Sequence, residues 1–212
     1  MAARSRRFMV LASGLALLIV GTAGAEAARI STIDVTEKAA VATTRTVDAI
    51  EYAYTPAKVT AVQGDFVKWT NRGVLSHTTT STITGAVGWN NTLAPGGSSS
   101  KSLPGAGTYA YHCNFHPMTG NVRVRVSVTP TTGPVGTTFT LKVASAPAPT
   151  GYSYAPQVKV PGSTSWTSLP TTTATSVSYV ANKAGIHAFR SKVKHGSLAG
   201  TAPSPTVSVT VG

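Results

Sequence analysis

From Ile30 onward the chain carries no sustained apolar repeat of helical period; Thr, Val, Ser and Tyr dominate, and Gly or Pro interrupts them every 8–12 residues. A surface helix needs an apolar stripe to bury, whereas short alternating segments bounded by turn residues read as strands. The fold class this predicts is all-β. Candidate strands are Ala57–Val62, Phe66–Thr70, Thr78–Thr84, Ser99–Leu103, Thr108–Cys113 and Asn121–Val128. After the break at Thr129-Pro-Thr-Thr-Gly-Pro134 a second set follows: Thr137–Ala144, Pro156–Val160, Ser176–Val180, Gly185–Lys194 and Thr206–Val211. Each set has the length of a small β-sandwich. The expected division is therefore 48–128 and 129–212, preceded by a lead-in or edge strand at 29–47.

The charge distribution narrows the chemistry. All six acids (Glu26, Asp34, Glu37, Asp48, Glu51, Asp65) lie in the first 65 residues, whereas residues 66–212 hold eleven Lys and Arg. Paired-carboxylate hydrolysis, an Asp-supported triad and oxygen-ligand calcium or magnesium sites all need Asp or Glu. Any site in the last two-thirds must rest on His, Cys, Met, Tyr or backbone. No enzymatic turnover is indicated.

Residues 1–28 combine a basic start (Met1–Arg7), the apolar run Phe8–Ala25 and small residues at A-x-A spacing around Ala25 and Ala27. This is the pattern of a secretory signal; the other reading is an uncleaved anchor, since the apolar run approaches the length that spans a bilayer. Contact with a membrane is expected only through this segment. Removing it takes the net charge from +12 to +10, with 15 basic and 5 acidic residues left. The expected location is outside the cytoplasm: secreted, periplasmic or in the cell envelope. Cys113 is the one cysteine, so an intrachain disulfide is impossible and the thiol needs another account.

That account comes from Tyr109-Ala-Tyr-His-Cys113-Asn-Phe-His116-Pro-Met118-Thr-Gly120. Strand alternation puts Tyr109, Tyr111 and Cys113 on one face, and the chain then turns through Pro117 and Gly120. A thiolate, an imidazole and a thioether crowd one short loop. A type 1 copper site needs two His and one Cys in a plane with a weak axial Met, so the loop lacks one imidazole. His77, after the Asn71–Ser76 loop, is the natural candidate.

Gly64-Asp-Phe-Val-Lys-Trp-Thr-Asn71, Ser76-His77-Thr78 and the Tyr109–Val122 stretch together resemble the cupredoxins, small blue copper proteins of the plastocyanin and amicyanin type. The resemblance covers roughly residues 48–128 and implies a Greek-key β-sandwich holding one copper. It implies His77, Cys113 and His116 as equatorial ligands, Met118 as the axial one, and the edge of His116 as the electron's exit. One departure stands out: a single residue separates His116 from Met118, where amicyanin-like loops have two. His112, beside Cys113, is where multicopper oxidases place a route to further coppers, but the remaining histidines (His112, His187, His195) are too few for a trinuclear cluster.

Trp69, Tyr109, Tyr111 and Phe115 read as core and shell aromatics, with Phe115 and Pro117 sealing the site from water. Residues 129–212 resemble immunoglobulin-like or fibronectin-type-III-like domains, through Gly185–Lys194 and Ser204–Val211. Their basic residues form either a solvated spacer surface or a face for a polyanion. The functional expectation is an exported one-electron carrier; a copper-sequestering envelope protein and a metal-free structural β-protein are the alternatives. Its partners are a copper ion and either an acidic redox protein or an anionic envelope polymer, with nucleic acid excluded by export.

Overall fold

The computed structural model describes residues 42–212. The segment 1–28 read as a signal, and residues 29–41 of the lead-in, lie outside the described residues. Those described belong to one structural unit, Ala40–Gly212, and no helix occurs among them.

The first group of strands is β1 (Thr44–Ile50), β2 (Ala53–Thr55), β3 (Lys58–Val62), β4 (Phe66–Asn71), β5 (His77–Ser81), β6 (Asn90–Leu93), β7 (Ser98–Ser102), β8 (Gly107–His112) and β9 (Thr119–Arg125). They form two sheets, ordered β2-β1-β4-β7 and β3-β9-β8-β5-β6. The sheets face each other through aromatic rings. Tyr54 of β2 and Trp69 of β4 lie 4.8 and 5.5 Å from the ring of Tyr111 on β8. Trp89 packs at 5.4 Å on Trp69.

β10 (Ser127–Thr129), β11 (Thr132–Gly133), β12 (Thr138–Lys142), β13 (Tyr152–Lys159), β14 (Thr167–Ser168), β15 (Ser176–Val180), β16 (Gly185–His195) and β17 (Val207–Val211) follow. Their sheets run β10-β12-β15 and β11-β17-β16-β13-β14. Tyr179 meets Phe189 edge-on at 5.3 Å between them. The all-β sandwich architecture expected from the sequence is the one observed.

Several boundaries differ, each for a local reason. β1 begins inside the lead-in and is not an edge strand, because it pairs with β2 on one side and β4 on the other. The Thr78–Thr84 strand stops at Ser81, where the Ser81 hydroxyl accepts from Ile83 N (3.0 Å) and turns the chain away. The single strand expected at Asn121–Val128 is two: the chain changes sheets at Val126, and β10 already pairs with β12. β13 starts at Tyr152, ahead of the strand expected at Pro156–Val160, because its register with β16 extends to His195.

The two groups of strands are bonded to each other. Ala106 N donates to Val143 O (2.8 Å), Ser145 N to Pro104 O (2.9 Å) and the Tyr152 hydroxyl to Thr84 O (2.6 Å). Gly105 has no room for a side chain: a Cβ there would sit 2.6 Å from Tyr154 and 2.8 Å from Val193. The second group thus braces β8 at its start, while the Cys113 loop leaves from its other end. Six residues of strand separate them by about 20 Å.

Candidate metal centre

His77 opens β5, and its position is set by Asn71 at the end of β4. The Asn71 side chain is fully buried. Its amide donates to Leu75 O (2.7 Å) and Leu93 O (2.9 Å), and its oxygen accepts from Gly73 N (2.9 Å). The 72–76 loop is therefore wound around a satisfied amide, the arrangement buried polar groups require. Glu51 adds an outer clamp by accepting from Val74 N and Leu75 N. Bonds from the Val74 amide above all hold its carboxyl below the ordinary range.

Cys113 follows β8 directly and is buried. Its amide donates to Met118 O (3.1 Å), and Met118 N donates to His116 O (2.7 Å). The short loop is closed by a tight three-residue turn of the γ type. Gly120 is needed beneath it, since a Cβ there would lie 2.3 Å from the Tyr111 ring.

These two segments bring three donors together. His77 Nδ1 and His116 Nδ1 are 3.2 Å apart, and Cys113 Sγ lies 4.0 Å from the first and 3.8 Å from the second. A circle through three atoms at these separations has a radius of about 2.1 Å, between the ~2.0 Å of a metal–imidazole bond and the ~2.3 Å of a metal–thiolate bond. The donor set and its spacing therefore fit one small ion of soft or borderline character, copper above all.

The surroundings favour binding. Burial first, then the neighbouring His116, pushes His77 below the ordinary imidazole range against the pull of Glu51, a shift toward the neutral ring that a metal cation needs. His77 Nε2 is buried without a hydrogen-bond partner among the described residues. Thr78 N donates to Cys113 Sγ (3.3 Å), tying the sulfur to β5, and Thr78 Oγ1 accepts from Asn114 N (2.8 Å). Tyr54 donates its hydroxyl to Thr78 O from below.

Of the expected site residues, His77, Cys113 and His116 converge. His77 is fully buried at the start of β5. Met118 is buried beside them, its backbone bonded to both Cys113 and His116. His112 faces the other way on β8, opposite Thr80 and Thr119. His187 is spent on the Tyr179 hydroxyl (3.1 Å) and Lys183 O (2.8 Å), and His195 stacks on Tyr152 at 4.1 Å. Phe115 is 56% exposed, so its ring lies largely in solvent and is not a buried seal, although its edge meets His116 with centroids 6.4 Å apart. Tyr52, which the sequence did not single out, meets the same imidazole edge-on at 5.3 Å.

Solved structures similar to this chain include a reduced amicyanin mutant, 31% identical over 37% of this chain and 79% of that one, with a TM-score of 0.35. A purple cupredoxin from Nitrosopumilus maritimus is 25% identical over 37% and 97%, with a TM-score of 0.34. These neighbours are cupredoxins. No family model matches the chain, and no curated protein sequence does. Every segment quoted for the cupredoxin resemblance lies in the first pair of sheets or its loops, with the three donors gathered at one end.

Proposed function

We propose that this chain is an exported carrier of single electrons whose one type 1 copper would be held by His77, Cys113 and His116, with the Met118 thioether as the fourth, weaker donor. The observation that carries the reading is the His77–Cys113–His116 triangle, whose edges of 3.2 to 4.0 Å suit a trigonal two-imidazole, one-thiolate set. Copper, when bound, supplies a one-electron couple. The chain's own residues hold the donors in place through that cycle.

Asn71 fixes the approach to His77; Thr78 ties the Cys113 sulfur to β5; the turn from His116 to Met118 fixes the second imidazole. Donors held at a strand start and in a loop closed by satisfied backbone bonds move little, which suits electron transfer more than turnover, and the reading assigns no catalysis. His116 is only partly buried, so its ring is the exit to solvent. Exposed Ile50, at the end of β1, and Tyr52, Val74, Leu75 and Phe115, in the loops at this end, give a partner apolar surface to cover. On this reading residues 1–28 direct export and are removed, and 129–212 form an appended immunoglobulin-like domain.

Voltammetry of the copper-loaded protein tests the carrier role. A reversible one-electron wave with fast exchange supports it. Tight Cu(I) retention with slow exchange would assign the same site to copper sequestration instead.

A further inference from the structure

Segment 201–204 passes between β8 and β16 and is bonded to both. Thr108 N donates to Ala202 O (2.8 Å) and Ala202 N to Thr108 O (3.2 Å), while Thr201 N donates to Val193 O (2.9 Å) and Ser204 N to Ser191 O (2.7 Å). The backbone surface is therefore unbroken from β3 through β9, β8 and this segment to β16 and β13. Inward along it point buried Val59, Val122, Val124 and Val193. Lys58, Arg123, Arg125, Lys192 and Lys194 alternate with these valines and point outward.

Among the described residues no carboxylate answers these cations. The three acids among the described residues are engaged elsewhere: Asp65 with Arg45 (3.1 Å), Asp48 with Arg72 (3.5 Å) and Glu51 with the Val74 and Leu75 amides. Arg123 and Arg125, like Lys192 and Lys194, are two residues apart on one face, about 6.7 Å along the strand. Across the strands each of these cations faces an uncharged residue: Asn121 opposite Lys58, Thr60 and Thr108 opposite Arg123, Val62 opposite Arg125, Ala155 opposite Lys192 and Ser153 opposite Lys194. Five cations on one continuous face, with no opposite charge beside them in the sheet, make it complementary to an external anion.

The span decides its kind. From β3 to β16 there are four steps between neighbouring backbones, about 19 Å in all. A single small oxyanion reaches one pair of cations; a chain of them reaches all. At the β3–β9–β8 end, Lys58, Thr108, Asn121 and Arg123 line a shallow groove with ammonium, hydroxyl, amide and guanidinium, donors suited to phosphate-like oxygens. We infer that this face, built jointly by both pairs of sheets, is the docking surface for an extended linear polyanion carrying phosphate-type groups.

Its test uses the whole protein, long-chain inorganic polyphosphate as probe and orthophosphate as the small-ion control, titrated calorimetrically at about 50 and about 200 mM salt. K58Q/R123Q and K192Q/K194Q remove two charges each from opposite ends of the face. K68Q/K101Q removes two from the other sheet of the first pair. The expected result is saturable polyphosphate binding that each face variant weakens about fivefold or more, that the control variant changes by less than about twofold, and that orthophosphate does not reproduce. Equal weakening by all three variants would reduce the effect to net charge and overturn the assignment, as would equal competition by orthophosphate or absence of binding. Near-UV circular dichroism and the optical spectrum of the copper-loaded variants, unchanged in each, separate this result from any failure of fold or metal centre.

Discussion

Tyr52 stands edge-on against His116, with ring centroids 5.3 Å apart and planes at 90°. It does so from a backbone position at φ 64°, the one positive φ outside glycine among the described residues. A bulky residue in that region costs about 1–3 kcal/mol, which a glycine would not. Tyr52→Gly should therefore leave the fold as stable or more so, yet lose the ring that supports His116 and speed copper release to a chelator by about two- to tenfold. Tyr52→Phe should match the parent in both measurements. Equal copper retention in the Gly and Phe variants would remove Tyr52 from the site.

Thr78 joins the two ligand segments twice, through its amide to Cys113 Sγ and its hydroxyl to Asn114 N. Thr78→Val keeps the shape and the first bond but strands the Asn114 amide. Denaturant unfolding of the metal-free protein should show a loss of about 1–3 kcal/mol.

Asp65 is buried at the β3–β4 turn, where Gly64 takes φ 91°. Burial alone would raise its pKa, but bonds from Thr43 N, Val62 N, the Thr43 hydroxyl and Arg45 outweigh it and lower it. The folded value lies below the unfolded one. Its contribution is thus complete above the ordinary carboxylate pKa of about 4 and is lost as pH falls through the folded value. Asp65→Asn should be clearly less stable than the parent at pH 7, with the gap closing in acid. A gap independent of pH would contradict the ionised role.

Gly105→Ala tests the seam between the two pairs of sheets. The added methyl meets Tyr154 and Val193, and overpacking of this kind costs about 1–3 kcal/mol. Because hydrogen bonds cross the seam, circular dichroism and Trp fluorescence should report one shared transition at a lower midpoint in the variant.

Much of this was legible in the sequence because it is local. Alternation of Tyr109, Tyr111 and Cys113 placed the thiol, and the spacing to His116 and Met118 exposed the donor loop. His77 was reachable only as the missing imidazole, since nothing local says that Asn71 winds its loop inward. Tyr52 was not legible at all: in sequence it is one more β-forming aromatic, and only the β1–β2 turn carries it to His116. Phe115 was legible only as a neighbour of His116: its loop leaves most of the ring in solvent, while its edge still meets the imidazole. The continuous face from β3 to β13 also escaped, because it depends on residues 201–204, which have no strand pattern and gain their order from β8 and β16.

On the proposed function Cys113 and two imidazoles hold copper through a thiolate bond, and the visible spectrum recorded after Cu(II) is added to the purified protein reads that bond out. An intense thiolate-to-copper charge-transfer band is predicted, saturating at one equivalent and absent in Cys113→Ser. A weak, amine-like colour unaffected by that substitution would contradict it.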